Sequence, residues 1–204
     1  MSFEQAIRIP KERLGVLIGK SGETKKSLEE EFGVKIDVDS RSGDIIIKNA
    51  KSLSESDPSK ARQIVEAIGR GFSPKRALKL RQPEIYLQVI DLREYAGKSR
   101  NSLERIKGRL IGMQGKARRV IEELTGAYIS VYGHSAAVIG SKDQLRLADL
   151  SLRQLASGSE HKVVYAELQR ERTKAKMERL KLWEDQTEQY SGSLHGSVNS
   201  SLMN

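Results

Sequence analysis

Cysteine is absent from the 204 residues, which excludes disulfides and thiolate metal sites. Histidine is scarce. His134, His161 and His195 are scattered, without the close spacing of a metal-binding pair. Long apolar runs are missing too. None approaches the roughly 20 residues of a membrane span, and residues 1–15 lack the apolar centre of a secretory leader. No Ser, His and acidic residues stand in a spacing that suggests nucleophilic catalysis. The expected protein is cytoplasmic, is not an enzyme, and has no metal or cofactor.

What is present is positive charge. There are 36 Lys and Arg against 27 Asp and Glu, a net charge of +9. The excess is unevenly placed. Residues 1–72 and 161–204 each carry a net +1, whereas residues 73–160 carry +7. Arg93 to Arg119 alone hold nine basic residues against Glu94 and Glu104. A basic stretch by itself is an ordinary solvated face; its meaning depends on what it adjoins.

It adjoins a Gly-x-x-Gly turn, and that turn occurs twice. The first copy is Gly19-Lys20-Ser21-Gly22 and the second is Gly112-Met113-Gln114-Gly115. Glycine lets two backbones approach closely because no Cβ intervenes. A helix opening directly after such a turn presents free N–H groups and a positive dipole end to a phosphate. One copy is a weak signal. An offset of 93 residues, however, also carries Lys25-Lys26 onto Arg118-Arg119, Gly33 onto Gly126, Ile36 onto Ile129 and Ile45-Ile46 onto Val138-Ile139. Register kept without a gap over that length predicts a tandem repeat of one small domain.

Each repeat reads β-α-turn-α-β-β-α. In the first, Gln5 to Ile9 is a strand ended by Pro10, and Leu14, Leu17 and Ile18 mark the buried face of a helix. The second helix runs from Gly22 to Phe32 and stops at Gly33. Lys35 to Asp39 and Asp44 to Lys48 are strands, and Pro58 to Ile68 is the third helix. The second repeat begins with a strand at Ile85 to Ile90, and Leu92 to Arg100 is a longer loop. Helices at Asn101 to Ile111 and up to Leu124 flank the turn. Strands at Tyr128 to Tyr132 and Ala136 to Gly140 and a helix at Lys142 to Ala156 close the repeat. The expected divisions are 1–72 for the first domain, 73–83 for a linker with a short helix and 84–160 for the second domain. A charged helix at 161–189 and a flexible tail at 190–204 follow.

This order, with Ile before the first glycine and Gly-Lys-Ser-Gly in the turn, resembles a type I KH domain. The resemblance implies an α+β fold: two tandem KH domains, each a three-stranded antiparallel sheet with its helices on one face, plus a charged C-terminal helix. Such domains bind about four single-stranded nucleotides. The pair as a whole, with Gly71-Phe72-Ser73-Pro74 in the linker and Glu122-Glu123-Leu124-Thr125-Gly126 after the second turn, is similar to a narrower family. These are the archaeal proteins related to the eukaryotic partner-of-Nob and Krr ribosome-assembly factors. That resemblance implies a small-subunit ribosome biogenesis factor that holds the single-stranded 3′ end of small-subunit rRNA and assists the endonuclease that matures it.

The expected RNA-binding residues are the two turns, Gly19, Lys20, Ser21, Gly22 and Gly112, Met113, Gln114, Gly115, with their flanking cations. Lys25 and Lys26 serve the first turn; Arg109, Lys116, Arg118 and Arg119 serve the second. The second turn lacks the usual basic residue, and Lys116 stands one position later. Bases are expected over an apolar groove beside Ile36–Val38 or Ile129–Val131, with sheet core as the plainer role for those residues. With 5% aromatic residues, a sheet that stacks bases on exposed Tyr and Phe does not fit. Gly15 to Ser21 falls one residue short of the spacing of a nucleotide-hydrolase phosphate loop and follows a helical pattern instead of a strand. A helix-turn-helix DNA reader does not explain the two strands that follow each turn. A protein-docking scaffold or a general RNA-processing accessory protein is the remaining alternative, kept open by Met113 and Gln114.

Overall fold

The computed structural model describes residues 4–50, 56–97 and 99–198. The first unit consists of β1 (Glu4–Arg8), α1 (Lys11–Ile18), α2 (Glu23–Phe32), β2 (Val34–Val38), β3 (Asp44–Asn49) and α3 (Pro58–Gly69). A linker follows, with α4 (Pro74–Ala77) and a 3-10 turn at Leu78–Arg81. The second unit repeats the order with β4 (Tyr86–Asp91), α5 (Arg93–Ala96), α6 (Arg100–Ile111), α7 (Lys116–Thr125), β5 (Tyr128–Tyr132), β6 (Ser135–Gly140) and α8 (Lys142–Ala156). Both sheets are antiparallel and three-stranded, in the orders β1-β3-β2 and β4-β6-β5. This is the α+β tandem topology that the sequence implies.

Local chemistry sets the ends of the elements. Pro58 opens α3, and the Asp57 side chain accepts from the Lys60 N–H. Gly33 and Gly126 close α2 and α7 in the left-handed conformation, at φ +61° and +75°. Ser141 and Gln144 form a reciprocal capping box at the start of α8. The α5 helix occupies part of the stretch expected to be loop.

Two expectations change. The repeat is not gapless to its last strand. Ile36 pairs with Ile47, but Ile129 pairs with Val138, so the second unit's last strand sits two residues out of the 93-residue register. The cause is the hairpin: Ser40–Gly43 separate the paired Asp39 and Asp44, whereas Gly133-His134 alone join Tyr132 to Ser135. A slip of two keeps every side chain on its own face, so the apolar pattern conceals it. The second change concerns the C-terminus. The last helix, α9 (His161–Val198), continues through 190–198, where a tail is expected; once a helix is nucleated, each further residue adds a backbone hydrogen bond. Residues 199–204 lie outside the described residues.

The two units share a core. On the outer face of the first sheet the cross-strand neighbours are Lys35 with Lys48 and Asp37 with Ile46. The face is polar, and Lys48 pairs with Glu4 and Asp37. In the second sheet the matching neighbours are Tyr128 with Ile139 and Ser130 with Ala137. This face is buried. Ala137 and Ile139 join the first unit's core, with Leu87, Val89 and Tyr128 packed against it, while Ala136 and Val138 point the other way into the second unit's own core. Thus β6 is buried along its whole length, as a strand covered on both faces must be. The outer sheet face of one unit has become the seat of the other.

The seam is also polar and close. Ser130 Oγ donates to the Arg70 carbonyl at 2.9 Å, and the Tyr132 hydroxyl donates to Glu12 at 2.7 Å. That bond holds the Glu12 carboxyl below its ordinary range. Gly71 has φ +97°, and a Cβ there would lie 2.7 Å from Ser130 Oγ and 2.9 Å from Tyr132 Cβ. Only glycine lets the linker run this close.

A truncation at the seam tests the shared core. Ile139→Ala should cost about 2–5 kcal/mol and move one cooperative urea transition, read by circular dichroism, to lower denaturant. Two separated transitions, with only one of them shifted, would show that the units unfold independently.

Candidate nucleic-acid interface

The two turns share one backbone. Gly19 and Gly112 adopt φ/ψ of 74°/179° and 69°/175°, a region that essentially only glycine enters. Ser21 and Gln114 follow at φ 55° and 52°, and Gly22 and Gly115 at 80° and 76°. The glycines of each pair have different tasks. A Cβ on Gly19 would lie 2.3 Å from Thr24 Oγ1, and one on Gly112 would lie 2.7 Å from Ala117 Cβ. The first glycine therefore seats the turn on the helix that follows it. A Cβ on Gly22 or Gly115 would meet nothing within 4 Å. The second glycine faces open space, where a phosphate could reach the backbone.

Side chains around the turns divide into three groups. Lys20, Ser21, Met113 and Gln114 are exposed on the turns themselves, Met113 at 84%. Lys26, Lys116 and Arg119 are also exposed. The first turn of α7 carries Lys116 and no acidic residue, the opposite of what a helix dipole favours; an anion in front of the helix would reverse that preference. Arg119 donates to the Gln114 carbonyl at 3.1 Å and so steadies the turn.

The second group, Lys25 and Arg118, brings in residues that sequence reasoning missed. Lys25 lies 3.7 Å from Glu29, and Glu29 accepts the N–H of Ile36 at 2.8 Å. Arg118 lies 4.0 Å from Glu122, and Glu122 accepts the N–H of Ile129 at 2.8 Å. The arrangement repeats residue for residue. In each unit a carboxylate ties the helix after the turn to the edge strand and holds a cation beside it. Nothing in the spacing of Glu29 or Glu122 marks this role, because the strand amide comes near only in the folded unit.

Arg109 forms the third group. Its guanidinium donates to the Leu155 and Ser159 carbonyls at 3.2 and 2.6 Å, capping α8. Arg13 does the same for α3, donating to Ile68 and Phe72 at 2.8 and 2.6 Å. The geometry gives Arg109 a holding task within its unit, with Nε and Nη2 both committed to these carbonyls.

The edge strands supply less groove than expected. Ile36 and Ile129 are buried in the cores, and only Val38 and Val131 are half-exposed. Two clefts do flank α7. One, of about 570 Å³, is lined by Lys116, Arg119, Tyr128 and the linker's Arg76. The other, of about 300 Å³, is lined by Phe72, Arg76, Arg118 and Ile129. A third cleft, of about 600 Å³, lies between β1, the end of α3 and the β5–β6 turn, and touches neither Gly-x-x-Gly turn. Concavity and positive charge thus coincide at α7. Among the described residues no helix is long and apolar enough to cross a membrane.

Comparison with known proteins bears on this geometry. The family profile of the KH domain matches residues 4–58. That of the eukaryotic-type KH domain (KH-domain type I), in its PNO1 second-domain form, matches residues 86–173. A KH domain-containing protein of Methanocaldococcus jannaschii is 45% identical over 184 residues, covering 90% of this chain and 81% of its own length. Among solved structures, Dim2p of Pyrococcus horikoshii superposes with a TM-score of 0.76 at 42% identity, over 82% of this chain and 99% of that one. The same protein in the crystal structure of an a/eIF2alpha–aDim2p–rRNA complex gives 0.79 at 41% identity, over 85% and 96%. A protein of unknown function from Aeropyrum pernix gives 0.82 at 36% identity, over 91% and 99%. With both KH folds present, both turns intact and relatives matched over 81–99% of their length, the chain belongs to the tandem-KH family of archaeal proteins related to Dim2 and PNO1.

Proposed function

We propose that this protein grips single-stranded RNA with both Gly-x-x-Gly turns and holds the 3′ end of small-subunit rRNA while it is matured. RNA binding and a part in ribosome biogenesis come with family membership, and rRNA is present in the relative's complex. The observation that carries the finer reading is the identity of the two turns. Each combines an outward-facing second glycine with exposed cations on the following helix.

Phosphates meet Gly22 and Gly115, with Lys20, Lys26, Lys116 and Arg119 as exposed counter-charges. Lys25 and Arg118 stand further in, beside the edge strands. Ser21, Met113 and Gln114 are exposed on the turns, and Met113 offers apolar contact in place of a charge. Arg109 acts through the fold. We read the chain as a cytoplasmic binding protein, so cleavage of the held RNA falls to a separate endonuclease. The a/eIF2alpha present in the relative's complex is a second candidate partner.

Fluorescence anisotropy across a salt series tests the reading, with a labelled single strand of the rRNA 3′ end against a duplex and a scrambled strand. The expected result is a preference for the rRNA single strand, with a log–log salt slope of about −0.7 per phosphate contacted. Equal binding to every polyanion would leave only a basic scaffold.

The two glycines of a turn should also separate in effect. Gly22→Asp and Gly115→Asp have room for the new side chain but hold it at positive φ, so they are expected to lose about 1–2 kcal/mol of stability while losing RNA affinity by about tenfold or more. Gly19→Val and Gly112→Val, which also drive a side chain into the following helix, are expected to lose about 2–6 kcal/mol of stability. Thermal melts beside the binding curves check both. Unchanged affinity in the Asp variants would remove the turns from the RNA site.

A further inference from the structure

We propose that Arg76, carried by the linker helix α4, is an RNA-binding residue of the second unit and supplies the cation that its turn lacks. The inference rests on the RNA reading above and adds a residue from outside the repeat.

Arg76 belongs by sequence to the linker, but its side chain lies on the second unit. Its guanidinium sits 5.2 Å from the centre of the Tyr128 ring, and Nη1 donates to Glu122 Oε1 at 3.0 Å. It forms a wall common to both clefts beside α7, the one lined by Lys116 and Arg119 and the one lined by Arg118. Four cations, Arg76, Lys116, Arg118 and Arg119, therefore meet two carboxylates, Glu122 and Glu123, at one side of one helix. The excess is positive. Arg118 Nε, moreover, makes no hydrogen bond there and reaches Glu122 only as an ion pair at 4.0 Å.

The simplest alternative is that Arg76 only neutralises Glu122. The first unit argues against it. Glu29 occupies the same place, makes the same 2.8 Å bond to an edge-strand N–H and has Lys25 beside it. Among the described residues no second cation pairs with Glu29. Glu122 likewise holds the Ile129 amide and has Arg118 within 4.0 Å. The carboxylate is provided for before Arg76 arrives, so Arg76 is surplus to the fold's need. It is not surplus to the turn's need. Where the first turn carries Lys20, the second carries Met113.

The setting suits phosphate. The Arg76 side chain is 38% exposed. The cation–π contact with Tyr128 holds the guanidinium over the ring, while only one of its five N–H donors goes to Glu122. The remaining edge is preorganised for a planar or tetrahedral oxyanion. The backbone beneath it is fixed, since Ser73 caps α4 and Ala77 and Leu80 are buried.

The test is anisotropy on the full chain with the single-stranded rRNA 3′-end probe over a salt series, run beside thermal melts. Arg76→Ala should weaken binding about tenfold and shrink the salt slope by about 0.7. Arg76→Lys, which keeps the charge but not the planar fork, should restore the salt slope and only part of the affinity. Glu122→Gln, which keeps an acceptor for the Ile129 amide and removes the competing carboxylate, should bind as tightly as wild type or tighter. If Arg76→Ala and Glu122→Gln both lower the melting temperature while affinity and salt slope stay at wild-type values, the residue is structural and the proposal fails. If the wild type itself prefers no single strand, the RNA reading fails first and takes this assignment with it.

Discussion

The burial of the second sheet's outer face against the first unit is the constraint on which the rest depends. A three-stranded sheet with helices on one side leaves its other side to solvent, and the first unit does so with Lys35, Asp37 and Lys48. The second unit replaces that surface with Tyr128, Ser130, Ala137 and Ile139 and seats it on the first unit's core. Removing such apolar area from water is the main favourable term in folding. It also fixes orientation. Gly71, Ser130 and the Tyr132–Glu12 bond leave the linker one path over β5. Two turns that lie 93 residues apart in sequence thereby become two fixed points on one body.

That fixity matters for a flexible ligand. A single-stranded nucleic acid loses conformational entropy at every contact it makes. Two turns held at a set separation let the second contact form at a high effective concentration once the first has formed. The linker serves this purpose twice. Its backbone closes the seam, and its one ordered helix delivers Arg76 to the α7 clefts. The units also differ in what they offer. The first presents a lysine in its turn, whereas the second presents Met113 and draws cations from α7 and from outside its own repeat.

Much of this was legible in the residues, and what was not has identifiable causes. The two turns, their helices and the strand that follows each could be read because they are local: glycine, basic pair and apolar period lie within 20 residues of one another. The two-residue slip in the last strand escaped because a strand's period is two, so the apolar pattern fits either register. The shared core was visible in principle. Ser135 to Gly140 lacks the alternation that Lys35 to Asp39 shows, and a continuous small and apolar run marks a strand covered on both faces. The carboxylates Glu29 and Glu122 could not be found this way, since on a helix they look like any solvated acid. The holding bonds of Arg109 escaped for a related reason. Its place three residues before a turn suggested a phosphate contact, but it folds back onto carbonyls nearly 50 positions later, a separation that no local pattern encodes.

The central claim is that one RNA strand engages both turns on a rigid pair. Hydrogen–deuterium exchange, read by mass spectrometry with and without the single-stranded rRNA 3′ end, tests it most directly. The account predicts slowed exchange at residues 19–26 and 112–119 together, rising over the same range of RNA concentration, with the seam strand at 128–132 protected in both states. Protection at one turn alone, or a seam that exchanges freely until RNA is added, would contradict it.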